Sequence, residues 1–163
     1  MENNSITVDL TAKDLFEFNI YHSYTHSQGI ASVLFGLAAI GVTIAEFDKL
    51  TTGMFAVRIL LGIAILVYIP CTLAMRARMA VKKGGSFDKP INITIGEDGV
   101  DVGVGEETNL IKWENVYRLK DRKNQFLIYT GRITALIIPK RCISEELIAK
   151  IRELYDRHAD ANS

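Results

Sequence analysis

Two uncharged apolar runs constrain this chain more than any other feature. Gly29 to Ala45 reads GIASVLFGLAAIGVTIA and Ile59 to Met75 reads ILLGIAILVYIPCTLAM. Neither contains Asp, Glu, Lys, Arg or His, and the first holds nothing more polar than Ser32 and Thr43. At a rise of about 1.5 Å per residue each covers about 25 Å. Flanking residues such as Gln28, Phe47, Phe55 and Val57 extend each run to about 20 residues, the length that crosses bilayer hydrocarbon. The core helix of a soluble protein would keep a polar face, and these runs have none. The linker EFDKLTTGMFAVR is short. The expectation is a transmembrane helical hairpin over residues 29–75, with helices at about 29–47 and 55–75. The first run follows an acidic segment rather than a basic one, which argues against a cleavable signal peptide.

Charge near the span ends sets an expected orientation. The segment after the second run carries Arg76, Arg78, Lys82 and Lys83, whereas the first 28 residues contain only Lys13 among Lys and Arg. The positive-inside rule places the Arg76–Lys83 segment, and with two spans both termini, in the cytoplasm. Over the whole chain of 163 residues, 19 basic side chains balance 19 acidic ones. That neutrality argues against a nucleic-acid partner, which would draw on an excess of Lys and Arg. Two Cys with no CxxC or Cys/His grouping exclude a disulfide scaffold and a structural zinc site.

From Pro90 the periodicity changes to two. INITI alternates at Ile91, Ile93 and Ile95, and Asp98-Gly99 supplies the residues of a type I′ hairpin turn. VDVGV, TNLIKW, VYRLK, FLIYT and TALIIP follow as short strands with turn-like separators. Trp113 is read as a strand residue sharing the core face with Ile111. Gly103 and Gly105 lack the GK[ST] of a phosphate loop and read as a β-bulge or a close strand crossing. Ser144 caps a final helix whose apolar stripe runs through Leu147, Ile148, Ile151, Leu154 and Tyr155. Near the start, SITVDLT alternates as one more strand. Thr11 and Asp14 outline a capping box for a helix running from about Ala12 into the first span. A lone strand at 6–10 is unstable, so it is assigned to the sheet after residue 90. The organisation expected is a strand and amphipathic helix at 1–28, the hairpin at 29–75, and a cytoplasmic β domain with a C-terminal helix at 76–163. The fold class is α+β. The hairpin is inserted in a pleckstrin-homology-like antiparallel β-barrel or sandwich closed by an amphipathic helix.

The opening LTAKDLFEFNIYHS, the two apolar runs, the IKWENVYRLKDRKNQFLIYT stretch and the IIPKRCIS run together resemble the YcxB-like family of bacterial membrane proteins. The resemblance implies a bacterial membrane protein with a pleckstrin-homology-like soluble part. It implies no catalytic residues.

Residues with chemistry to offer are few. His22 and His26 stand one helical turn apart, the spacing of a helical metal site, but no third ligand lies nearby. Interfacial polar groups beside Tyr21 and Tyr24 are the better reading of the pair. Lys120, Arg122 and Lys123, with Lys140 and Arg141, outline a basic patch for a lipid headgroup or a protein partner. Against that reading, acids slightly outnumber bases from residue 84 onward, and solvated loops or structural ion pairs account for the same residues. Asp9, Asp14 and Glu17 fit capping and surface roles. Cys71 and Cys142 have no partner at motif spacing. Ser32-xxx-Gly36 and Gly41-xxx-Ala45 allow close helix packing within the hairpin or between copies. The expected function is non-catalytic: a membrane-held domain that presents a surface to a protein or an anionic lipid, without cofactor. The alternatives are a small metal-dependent membrane enzyme using His22 and His26, or a homo-oligomeric hairpin assembly.

Overall fold

Alternation at Ile6 and Val8 lays down β1 (Ser5–Val8), and it pairs antiparallel with β2 (Ile91–Ile95), Ser5 opposite Thr94 and Val8 opposite Ile91. The solvent face of this pair is polar: the Thr7 hydroxyl donates to Asn92 Oδ1 at 2.9 Å, and the Ser5 and Thr94 hydroxyls lie 2.9 Å apart. The opposite face buries Ile91, Ile93 and Ile95. The computed structural model describes residues 4–25, 27–85 and 87–161. Within them β3 (Gly99–Val104) and β4 (Glu107–Lys112) complete a four-stranded antiparallel sheet in the order β1-β2-β3-β4. A second, three-stranded antiparallel sheet runs β5 (Arg118–Asp121), β6 (Gln125–Tyr129) and β7 (Ala135–Pro139). Every residue of β6 is buried, so this strand is covered on both faces, which suits its nearly continuous apolar sequence.

The helix α4 (Glu145–Ala161) follows. Ser144 caps it as expected, its Oγ accepting the Leu147 N–H at 3.2 Å. Leu147, Ile148, Ile151 and Leu154 are buried along one stripe. Strands β1 to β7 with α4 belong to a unit made of residues up to Asp14 and from Val81 onward; Leu15–Ala80 form the other.

Four expectations need correction in this first unit. The two sheets share no ladder among the described residues, so they do not close a barrel. The chain leaves β4 through a 3-10 turn, Trp113–Asn115, rather than extending the strand. Trp113 is therefore not a strand residue. It is nonetheless core, 2% exposed, with its indole N–H donated to the Gly96 carbonyl at 3.1 Å. The β2–β3 turn centres on Glu97 and Asp98, closed by Gly96 N–H to Gly99 O at 2.9 Å. It is not type I′, because no residue other than glycine has a positive φ among those described. Gly99 is needed for another reason: a Cβ there would overlap the Ile111 carbonyl of the neighbouring strand. Finally, Gly105 marks no bulge. It sits with φ +63° at the first position of the two-residue turn between Val104 and Glu107, the conformation of a type II′ hairpin.

The other unit is helical. α1 (Ala12–Thr25) begins at the expected capping box, Asp14 N–H to Thr11 Oγ1 at 3.3 Å and Thr11 N–H to Asp14 Oδ2 at 2.8 Å. The junction expected with the first apolar segment falls at His26, outside the described residues. The helices on either side of it are bent by 74°, and the Thr25 hydroxyl folds back on the Tyr21 carbonyl, a bond that favours bending. α2 (Ser27–Ala45) and α3 (Thr52–Ala80) are joined by a turn over Phe47–Lys49. Arg58 Nη1 meets Glu46 Oε2 at 2.7 Å, and Phe47 packs edge-on to Phe55 with centroids 5.1 Å apart. The helices cross at Gly36 and Gly62. An added Cβ would lie 2.5 Å from Leu66 Cδ2 in the first case and 2.5 Å from Ile40 Cγ1 in the second. Gly41, named from the small-residue pattern, faces open space.

By length and composition α3 is able to cross a membrane, and α1 with α2 pass the same test as a pair bent by 74°. The apolar side chains of α2 and α3 point outward, with Phe35 76% and Leu60 64% exposed.

Candidate functional site

The first unit gathers polar groups at one end of its three-stranded sheet, where the β5–β6 turn meets the start of the 3-10 turn Lys140–Cys142. The Lys140 N–H donates to Asn124 O at 2.9 Å, and Gln125 lies opposite Pro139 in the ladder. Register between β6 and β7 thus brings Arg122, Lys123, Lys140 and Arg141 to one end of the sheet. Lys120 lies on β5, half-buried.

Arg141 does not face outward as a free cation. Its guanidinium fork grips Asp14 with Nη1 to Oδ1 and Nη2 to Oδ2, both at 2.7 Å, and Nη2 also reaches the Asp9 carbonyl at 2.9 Å. This bidentate geometry is the strong form of the pair. Asp14 is the buried member, its side chain 7% exposed against 49% for Arg141. Desolvation pushes the Asp14 carboxyl up, but hydrogen bonds from Arg141 and Thr11 outweigh it and hold the group below its ordinary value of 3.8. The Asp14 hydrogen bond in turn raises the Arg141 guanidinium against its own desolvation. Gln125 completes the anchor. Its Nε2 donates to the Asp14 carbonyl at 2.7 Å, while its Oε1 is buried and accepts no bond among the described residues.

Lys140 is similarly engaged. Its Nζ lies 2.8 Å from Asp121 Oδ1 and 3.3 Å from Glu145 Oε1, and the Asp121 hydrogen bond leads in raising its pKa. Asp121 also takes Arg152 at 2.5 Å. The cluster ties the first turn of α1, the ends of β5 and β7 and α4 into one network. An Asp14 carboxylate held ionised cannot serve as a general acid at neutral pH, and the Thr11 hydroxyl beside it, 2.6 Å from Oδ2, is taken up in the capping box. Pairing of Lys140 and Arg141 with acids also removes much of the charge that a patch including Lys120, Arg122 and Lys123 would present.

Sequence reasoning gave Asp14 only its cap. Its pairing with Arg141, 127 residues away, carries no local signal. The same holds for Asp121, Gln125 and Arg152. Of the two histidines, His22 packs edge-on to Phe18 at 4.8 Å, and His26 lies outside the described residues. Among the described residues no group of three or more His, Cys, Asp or Glu is placed to hold a metal. Cys71 is exposed on α3 and Cys142 half-buried in its turn.

Residues 95–154, from the end of β2 into α4, match the model of the YcxB-like protein family. The resemblance carried by IKWENVYRLKDRKNQFLIYT and IIPKRCIS thus holds over that stretch, while the opening helix and both apolar runs lie outside it. No curated protein and no solved structure matches the chain.

Proposed function

We propose that this chain is a bacterial inner-membrane protein that holds a pleckstrin-homology-like domain at the cytoplasmic surface, where the domain engages a protein or an anionic lipid without catalysis. The observation that carries the membrane part is the outward exposure of the apolar side chains of α2 and α3. Water would not tolerate so large a contiguous apolar surface, whereas lipid is its natural solvent. Both segments are helical, so their backbone bonds form within the segment as a span requires, apart from the one that Pro70 in α3 cannot donate. The exposed cations Arg76, Arg78, Lys82 and Lys83 cluster at the far end of α3. By the positive-inside rule they favour the cytoplasmic side, and each contributes about 1 kcal/mol of attraction to an anionic leaflet.

The domain part draws on topology. Four antiparallel strands, then three, then an amphipathic helix is the order of a pleckstrin-homology sandwich. The non-catalytic reading draws on the polar cluster, whose charges are spent on one another.

Membrane fractionation tests the location. The expected result is retention in the pellet after alkaline carbonate, with a cysteine placed at Thr51 labelled from outside the cell and one at Lys83 shielded. Release by carbonate overturns the membrane reading. Affinity purification from native membranes in mild detergent then tests the role. A stoichiometric protein or co-purifying anionic phospholipid, lost when the β domain is altered, is the expected outcome. Recovery of the chain with neither overturns the presentation role.

A further inference from the structure

One edge of the four-stranded sheet is left bare. β4 is exposed at every position except Ile111, which is half-buried. Its register with β3 is unbroken and it contains no Pro, so neither a bulge nor an imide blunts the edge. The two-residue turn makes Val104 and Glu107 a hydrogen-bonded pair, and the alternation then directs Asn109 and Ile111 to β3. Trp113 N–H to Asp98 O at 3.2 Å keeps the same phase. The main-chain groups of Thr108, Leu110 and Lys112 therefore face outward, and no hydrogen bond among the described residues uses them.

Pleating limits what can add to this edge in the antiparallel sense. Outward residues must oppose outward residues, so two copies of β4 pair about a two-fold axis beside either Asn109 or Leu110. With the axis at Asn109, Glu106 of each copy lies opposite Lys112 of the other, and Thr108 opposite Leu110. With the axis at Leu110, Lys112 lies opposite Thr108 and meets no acid, because Glu114 has left the strand in the 3-10 turn. Opposite charges on neighbouring strands stabilise, so charge selects the axis at Asn109, where Glu106, in the turn at the end of the strand, comes beside Lys112. Lys112 is free to take this partner. Its own contact with Glu114 is 3.5 Å long, with both side chains more than half exposed, and such surface pairs contribute little.

We infer that two copies of this chain join antiparallel through β4, about a two-fold axis beside Asn109, into one sheet continuous across both. This stands apart from the membrane reading, because it uses only the β unit.

Disulfide trapping in the purified full chain tests it, with Cys71→Ser and Cys142→Ser as background. Asn109 opposite its own copy is a non-hydrogen-bonded pair with Cα atoms about 4.5 Å apart, inside the range a disulfide spans. Asn109→Cys is expected to give a covalent dimer under mild oxidation, and Leu110→Cys severalfold less. Lys112→Glu in the Asn109→Cys chain is expected to cut the yield severalfold, and adding Glu106→Lys to restore it. Failure of Asn109→Cys to cross-link overturns the pairing. Preferential cross-linking at Leu110→Cys, or a yield indifferent to Lys112→Glu, overturns the charge-selected register. Asn109, Leu110, Lys112, Glu106 and Cys71 are exposed and Cys142→Ser is near-isosteric at a half-buried site; an unchanged Trp113 urea midpoint in each variant confirms that folding is intact.

Discussion

Asp14 shows how one side chain comes to serve two elements. It closes the capping box of α1 and receives both arms of Arg141, with Gln125 holding its main-chain carbonyl. Asp14→Ala removes the cap and leaves Arg141 without its partner. The cost is expected at about 2 kcal/mol, below that of a fully buried pair because Arg141 is half in water. Trp113 is the sole tryptophan and lies in the same unit, so urea unfolding followed by its fluorescence reads this loss. The pH dependence has a definite sign. A carboxyl whose folded pKa lies below 3.8 contributes its stability in full above that value and loses it as pH falls through the folded pKa. The gap between the native chain and Asp14→Asn is therefore expected to stay constant from pH 7 to about 5 and to narrow below about 4. A gap that widens on acidification would sink this assignment. The cap was legible in the spacing of Thr11 and Asp14; the Arg141 fork was not, because a pair so distant in sequence is set by tertiary placement alone.

Among the elements, period decided what could be read. Strict alternation in INITI and the stripe from Leu147 to Leu154 gave β2 and α4 their type, and uncharged length gave α2 and α3. What failed were the joints. TNLIKW alternates through Trp113, yet the burial of the indole and its bond to Gly96 turn the chain into a 3-10 segment. ENV carries no turn signal strong enough to announce this. Likewise the small residues of α2 were visible, but which of them meets α3 was not: Gly36 does and Gly41 does not. Gly62→Leu is expected to force α2 and α3 apart at a cost of about 1–3 kcal/mol. A lower helix melting temperature in micelles by far-UV circular dichroism, with the Trp113 urea midpoint unchanged, is the expected pattern. An unchanged melt would remove Gly62 from the crossing.

At the scale of the whole molecule the β unit is discontinuous in sequence. β1 is an edge strand of the four-stranded sheet and supplies Val8, with Leu10 just beyond, to the core. Deleting residues 1–10 is expected to lower the stability of that unit by at least about 3 kcal/mol, since two buried aliphatic side chains contribute about 1.5–3 kcal/mol each. The Trp113 urea midpoint measures it, and an unmoved midpoint would show β1 to be dispensable. The pairing of Ser5 with Thr94 also imposes an order on synthesis. β1 leaves the ribosome first and then waits while all of α1, α2 and α3 is made. Its partner emerges only afterwards, so the sheet is completed only once the intervening helices have been synthesised. Once α2 and α3 have folded against each other, the segment to be closed behaves as a far shorter loop than its residue count suggests. Until β2 has been made, a nascent chain carries an unpaired β1 edge, the kind of exposed strand that invites misassembly and proteolysis.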